Sequence, residues 1–226
     1  MSHPPYAELQ VSSNYSFLRG ASHPEELVLS AAALGHAAIA ITDRNSLSGV
    51  VRAHSAAKKA GIKLIVGVRL DLTDAPSLLC YPTDRAAYGR LARLLTVGKR
   101  RAPKGECQFG LTDVLAHGEG QIIIVLPPVE SDTLKTLRKH FKKRIYLSVK
   151  QNYIGDDIPR MKALGELALE CRVPLVATND VHAHTASRRP LQDVLCCIRE
   201  HCTIHEAGFR LHANAERRLK PPEEMA

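Results

Sequence analysis

The chain has no tryptophan, and aromatic residues make up 4% of its 226 positions, too few for a platform on which single-stranded nucleic acid could stack. No CxxC pair occurs among its six cysteines. Cys196 and Cys197 are adjacent, while Cys80, Cys107 and Cys171 stand alone, which excludes a zinc ribbon or a disulfide framework and leaves reduced thiols. His184, His201, His205 and His212 likewise lack the spacing of a zinc motif. No apolar run approaches the roughly 20 residues of a membrane span, and Met1-Ser2-His3-Pro4-Pro5 lacks the basic and then apolar pattern of an export signal. A cytoplasmic protein without membrane contact is expected.

Hydrophobic residues make up 45% of the chain, enough for a substantial core. Lysine and arginine number 31 against 23 acidic residues, a formal charge of +8 that favours acidic partners such as nucleic acid. The cations cluster in residues 99–104 and 138–144. The ordinary reading of such clusters is a solvated loop and a solvated helix end, where positive charge complements the helix dipole.

Short β-branched runs alternate with helical patterns, which predicts an α/β fold of parallel strands joined by crossover helices. Strands are expected at 8–11, 38–42, 64–70, 77–81, 122–126, 145–149 and 174–178, and helices at 23–34, 47–60, 85–97, 133–140, 159–171 and 189–200. The first helix has the fullest end signals: Ser22 as N-cap, Pro24 in the first turn, acidic Glu25 and Glu26, and Gly35 at the stop. Residues 98–110 carry charge, Gly and Pro without apolar period and read as a surface loop within one domain. An open sheet and a βα barrel both satisfy this pattern. In either, functional side chains gather at the C-terminal ends of strands.

At those strand ends lie Tyr15-Ser16-Phe17-Leu18-Arg19-Gly20-Ala21, Ala40-Ile41-Thr42-Asp43, Gly61-Ile62-Lys63-Leu64-Ile65-Val66-Gly67 and Asn179-Asp180-Val181-His182. In this order they resemble the successive motifs of the PHP (polymerase and histidinol phosphatase) domain. The runs Ala21-Ser22-His23-Pro24-Glu25-Glu26-Leu27, Arg100-Arg101-Ala102-Pro103-Lys104-Gly105-Glu106-Cys107 and Asn214-Ala215-Glu216-Arg217-Arg218-Leu219-Lys220-Pro221-Pro222 bring the likeness closest to the error-prone bacterial C-family DNA polymerases, relatives of the DNA polymerase III alpha subunit. The resemblance implies a distorted (β/α)7 barrel as a single domain over 1–212. Residues 213–226, where Pro221-Pro222-Glu223-Glu224 looks like the opening turn of a helix, are expected to begin the connection to an absent polymerase core.

Active members of the family hold divalent metals with His, Asp and Glu at the strand ends. By the same resemblance, the ligand positions here are degenerate: Gln10 and Ser12 stand for an HxH pair, Arg44 for the histidine of a TDH motif, Arg69 for a glutamate and Ser77 for a further histidine. Asp43, Asp180 and His182 remain as residual metal candidates, for weak zinc or manganese at most. Arginine cannot lose its proton to become a ligand. No catalytic residue and no cofactor is therefore expected in this domain, and magnesium would belong to the absent polymerase core. Arg44 and Arg69 are expected to pair with Asp43 and Asp180 in place of metal; alternatively Arg19, Arg44 and Arg69 form an anion site. The implied whole protein is a DNA-directed DNA polymerase, a nucleotidyltransferase of damage-induced mutagenesis, DNA repair and translesion synthesis. In it this domain would be an inactive scaffold whose partners are the rest of the chain, DNA through the full-length protein, and mutagenesis accessory proteins. A residual phosphoesterase or exonuclease and a basic nucleic-acid or partner-docking module are the alternatives.

Overall fold

The computed structural model describes residues 5–225. In chain order its main elements are β1 (Ala7–Glu8), α1 (Pro24–Ala33), β2 (Ala38–Ile41), α2 (Val50–Ala60), β3 (Lys63–Val66), β4 (Val68–Leu70), β5 (Leu78–Pro82), α3 (Arg85–Arg101), α4 (Leu111–Ala116), β6 (Gln121–Val125), α5 (Ser131–Phe141), β7 (Ile145–Val149), α6 (Asp157–Cys171), β8 (Leu175–Ala177), α7 (Arg189–Glu200) and α8 (Pro222–Met225). They fall into two compact units, one of residues 5–66, 150–157 and 178–225, the other of residues 67–149 and 158–177.

The first unit is built on a parallel sheet in the order β1-β2-β3, with α1 and α2 as the crossovers. All four residues of β2 are buried, as a central strand covered on both faces requires. Its core joins Val11, Leu27, Val28, Ile39, Ile41 and Val181, with alanines of α1 and α2 allowing the helices close to the sheet. The expected N-cap of α1 shifts by one residue. His23 takes that place, with its backbone N–H donating to Glu26 Oε2 at 2.8 Å, while Ser22 Oγ lies 2.7 Å from His184 Nδ1. At the far end of α2, Gly61 adopts the left-handed conformation, φ 69°, that stops a helix without a Cβ penalty.

The second unit holds five strands in the order β4-β5-β6-β7-β8. Only β6-β7 and β7-β8 pair in parallel; β4-β5 and β5-β6 are antiparallel, against the all-parallel expectation. The expected strand over 64–70 is two strands, β3 and β4, interrupted at Gly67 and assigned to different sheets. The largest buried side chains of this unit are Phe109, Phe141, Leu70, Leu78, Leu79, Leu91, Leu94, Ile123 and Leu134. The expected loop after position 97 starts later, because α3 runs on through Lys99, Arg100 and Arg101, where cations suit its C-terminal dipole. A Cβ at Gly98 would come within 2.3 Å of Phe109, so the glycine leaves room for the returning segment to lie against the helix. No helix among the described residues is long and apolar enough to cross a membrane.

Candidate functional site

Residues 178–182 carry a buried carboxylate, Asp180, at the centre of a charged and polar network in the first unit. Val181 N–H donates to Gln10 O and Ser12 N–H to Val181 O, each at 2.8 Å, a parallel bridge that puts Gln10 beside Asp180. Thr178 Oγ1 donates to Gln10 Oε1 at 2.9 Å, which fixes the amide so that its Nε2 donates to Asp180 Oδ1 at 2.8 Å. The other oxygen, Oδ2, accepts from Lys150 Nζ at 2.7 Å and lies 3.3 Å from Arg217 Nη2, while His182 Nε2 is 3.6 Å from Oδ1. Asp180 itself is buried and adopts a left-handed φ of 51°. Burial opposes its charge, yet the Arg217 and Lys150 cations and the nearby His182 ring outweigh that cost and hold the carboxyl well below the usual range. Arg217 is placed by the chain around it: His182 N–H donates to Arg217 O at 2.9 Å, and Asn179 Nδ2 reaches Glu216 O at 3.1 Å and Arg218 O at 2.6 Å. His212 meets His182 edge-on, with ring centroids 5.3 Å apart. Burial, reinforced by the Arg217 charge, lowers its pKa to about 3, so it meets His182 as a neutral ring at working pH.

Asp43 has its own cradle. Oδ1 accepts from Ser13 N–H at 2.8 Å and Ser16 Oγ at 2.7 Å, and Oδ2 accepts from Ser13 Oγ at 2.7 Å. Burial pushes its pKa up, against the pull of these hydrogen bonds. A Cβ at Gly49 would lie 2.7 Å from Asp43 Oδ2, so the residue entering α2 is small where the carboxylate needs room. Arg44 is anchored by its backbone N–H, which donates to Ser16 Oγ at 3.0 Å, and Arg19 by its carbonyl, which accepts from Gln192 Nε2 at 2.7 Å. Ser12 is buried.

Glu8 is a further buried acid beneath the same segment. It accepts from Tyr6 Oη at 2.7 Å, Gln10 N–H at 2.9 Å and Asn179 N–H at 3.3 Å. Burial raises its pKa from the usual 4.5 to about 7. Between those two values the unfolded chain ionises while the folded one holds its proton, so stability falls as pH rises through that window, by roughly 3 kcal/mol in all. Glu8→Gln is expected to flatten this part of the pH profile of chemical denaturation; a variant with the wild-type slope would contradict the assignment.

In the second unit, two of the degenerate ligand positions meet. Arg69 Nε donates to Asp71 Oδ1 at 2.9 Å, Ser77 Oγ donates to the same oxygen at 2.6 Å, and Arg69 Nη2 reaches Ser77 Oγ at 3.3 Å. The structure thus places Asp180 and His182 side by side with Gln10, and Arg69 with Ser77, while Asp43 sits among serines. Among the described residues no three His, Cys, Asp or Glu side chains converge as a metal site would need. Sequence reasoning missed Lys150, Arg217, Glu8 and Asp71. Glu8 and Asp71 carried a signal, their two-residue spacing from Gln10 and Arg69 along or just past the expected strands.

Charged and polar networks at strand ends of an α/β fold define the class here. The PHP domain family matches residues 8–151, and the chain belongs to that family. It is 55% identical over 229 aligned positions to the error-prone DNA polymerase of Caulobacter vibrioides, covering 99% of this chain and 21% of that protein. It is 48% identical over 229 positions to error-prone DNA polymerase 1 of Agrobacterium fabrum, covering 100% of this chain and 21% of the relative. The chain therefore spans about a fifth of the length of these curated relatives. Among solved structures, it resembles a candidate metal-dependent phosphoesterase of Bifidobacterium adolescentis, with a TM-score of 0.60 and 14% identity over 80% of this chain and 89% of that one. An amidohydrolase of Chromobacterium violaceum, solved with sulfate and no metal, gives a TM-score of 0.54 and 18% identity over 78% and 87%. At these identities the likeness establishes the fold, the PHP-type α/β fold expected from the motifs.

Proposed function

We propose that this chain is a metal-independent structural module of an error-prone DNA polymerase. In that setting the rest of the polymerase would carry nucleotidyl transfer with its own magnesium, contact DNA and act in cytoplasmic translesion synthesis. The observation that carries the reading is the pair of cations on Asp180: Lys150 Nζ at 2.7 Å and Arg217 Nη2 at 3.3 Å supply the positive charge that a divalent ion would otherwise bring. A metal entering beside them would meet two fixed positive charges and, from Gln10, an amide N–H that donates rather than accepts. The residues present do not fit a divalent cluster, and no hydrolytic step is derived through one.

The names of the relatives supply the polymerase context, and their length supplies a partner for exposed apolar surface. Leu191, Val194 and Ile198 lie at i, i+3 and i+7 on α7 and are 40%, 50% and 53% exposed, a stripe suited to packing against the polymerase that the relatives carry. The test is hydrolysis of a phosphodiester by the purified chain in manganese or zinc. No turnover above that of an Asp180→Asn variant is expected; metal-dependent turnover that this substitution removes would establish the residual phosphoesterase instead.

A further inference from the structure

Two thiols meet at the end of α7. The helix stops at His201, whose φ of 51° is left-handed, and Cys202 N–H donates to Cys197 O at 3.1 Å while His201 N–H reaches Ile198 O at 3.4 Å. This is the hydrogen-bond pattern of a Schellman motif, in which the side chains at the two ends of the longer bond come together over the turn. Here both are cysteines. Both cysteines line one open groove with Val194, Ile198, His201 and Ile204. The backbone bond joining the two residues also keeps their Cα atoms near the separation that a disulfide spans.

Cys196 is not an equivalent partner for either. Its Sγ donates to Arg210 O at 3.2 Å and accepts from Arg199 Nη2 at 3.2 Å. Successive residues of a helix also point about 100° apart, so Cys196 and Cys197 diverge while α7 is intact.

We propose that Cys197 and Cys202 form a site of reversible thiol oxidation, closing to an intramolecular disulfide in the presence of hydrogen peroxide. Cys202 is the half-exposed member and Cys197 the buried one, whose thiol burial pushes up, so peroxide reacts first at Cys202. There the sulfur takes one peroxide oxygen, giving a sulfenic acid and one water. The Cys197 sulfur then attacks the Cys202 sulfur, the S–O bond breaks, and the departing hydroxide leaves as a second water with the Cys197 proton. Two thiols lose two electrons, one peroxide gains them, and a low-molecular-weight thiol reverses the change by exchange.

The test treats the fully reduced chain with hydrogen peroxide, alkylates the remaining thiols and maps the products by peptide mass spectrometry without reductant. A Cys197–Cys202 linked species that dithiothreitol removes is expected as the majority product. C196S should form it as before, and C202S should abolish it and leave Cys197 alkylated. Linkage through Cys196, separate sulfinic acids without a bridge, or six unchanged thiols would each overturn the proposal.

Discussion

Replacing Asp180 by alanine is expected to destabilise the first unit by about 3 kcal/mol at neutral pH, because it leaves the Lys150 and Arg217 cations without their shared carboxylate and Gln10 Nε2 without its acceptor. Removing one partner of a buried ion pair costs about 3–5 kcal/mol. The lower figure applies here because the Lys150 and Arg217 side chains keep 26% and 30% of their exposure and water can partly replace the lost charge. Since the Asp180 pKa is held below its unfolded value, its contribution is complete above that unfolded value and is lost as pH falls through the folded one. The gap between variant and parent in urea denaturation should therefore narrow on acidification. Adding Lys150→Met to Asp180→Ala should recover part of the loss by removing a stranded charge. A cost below about 1 kcal/mol, within the range of an exposed ion pair, would show that this network does little for the fold.

Gly20→Ala is the second large effect. A Cβ at this position would fall 2.2 Å from Ser13 O, 2.3 Å from Ser13 C and 2.6 Å from Ser12 O. These are backbone atoms and cannot rotate aside as a side chain could. Ser13 N–H is also committed to Asp43 Oδ1 at 2.8 Å, and Gly20 N–H to Ser16 O at 3.3 Å, so moving the Ser12–Ser13 backbone would open the Asp43 cradle as well. The expected loss is about 3 kcal/mol or more, seen as a lowered melting temperature or as poor soluble yield. Alanine at Gly89, where a Cβ meets nothing within 4 Å, is the matched control and should be tolerated. A Gly20→Ala variant that melts with the parent would contradict the close approach.

The elements with local signals were legible. Acidic residues and proline at the start of α1, Gly35 after its end, and Gly61 after α2 each mark a boundary through backbone chemistry confined to a few residues. The break at Gly67 was not legible, because residues 64–68 read as one apolar stretch across it and only pairing into different sheets separates β3 from β4. Nor was the antiparallel pairing of β5, whose buried residues read the same in either direction. The site divides in the same way. Asp43, Asp180 and His182 stood out because they sit in short motifs at strand ends, whereas Lys150 lies in no motif, Arg217 lies in a run that marks the family without marking a site, and both acquire their role by meeting Asp180 from 30 and 37 positions away along the chain. Charge at a strand end could be read from the sequence; which cation answers it depends on tertiary placement.

Elemental analysis of the chain purified without chelator, followed by manganese and zinc titration against thermal stability, tests the metal-independent reading most directly. The account predicts substoichiometric metal and no rise in melting temperature, in both the parent and a His182→Ala variant. One equivalent of metal per chain, lost on changing Asp180 or His182, would contradict it and make Lys150 and Arg217 neighbours of a working metal centre rather than its replacement.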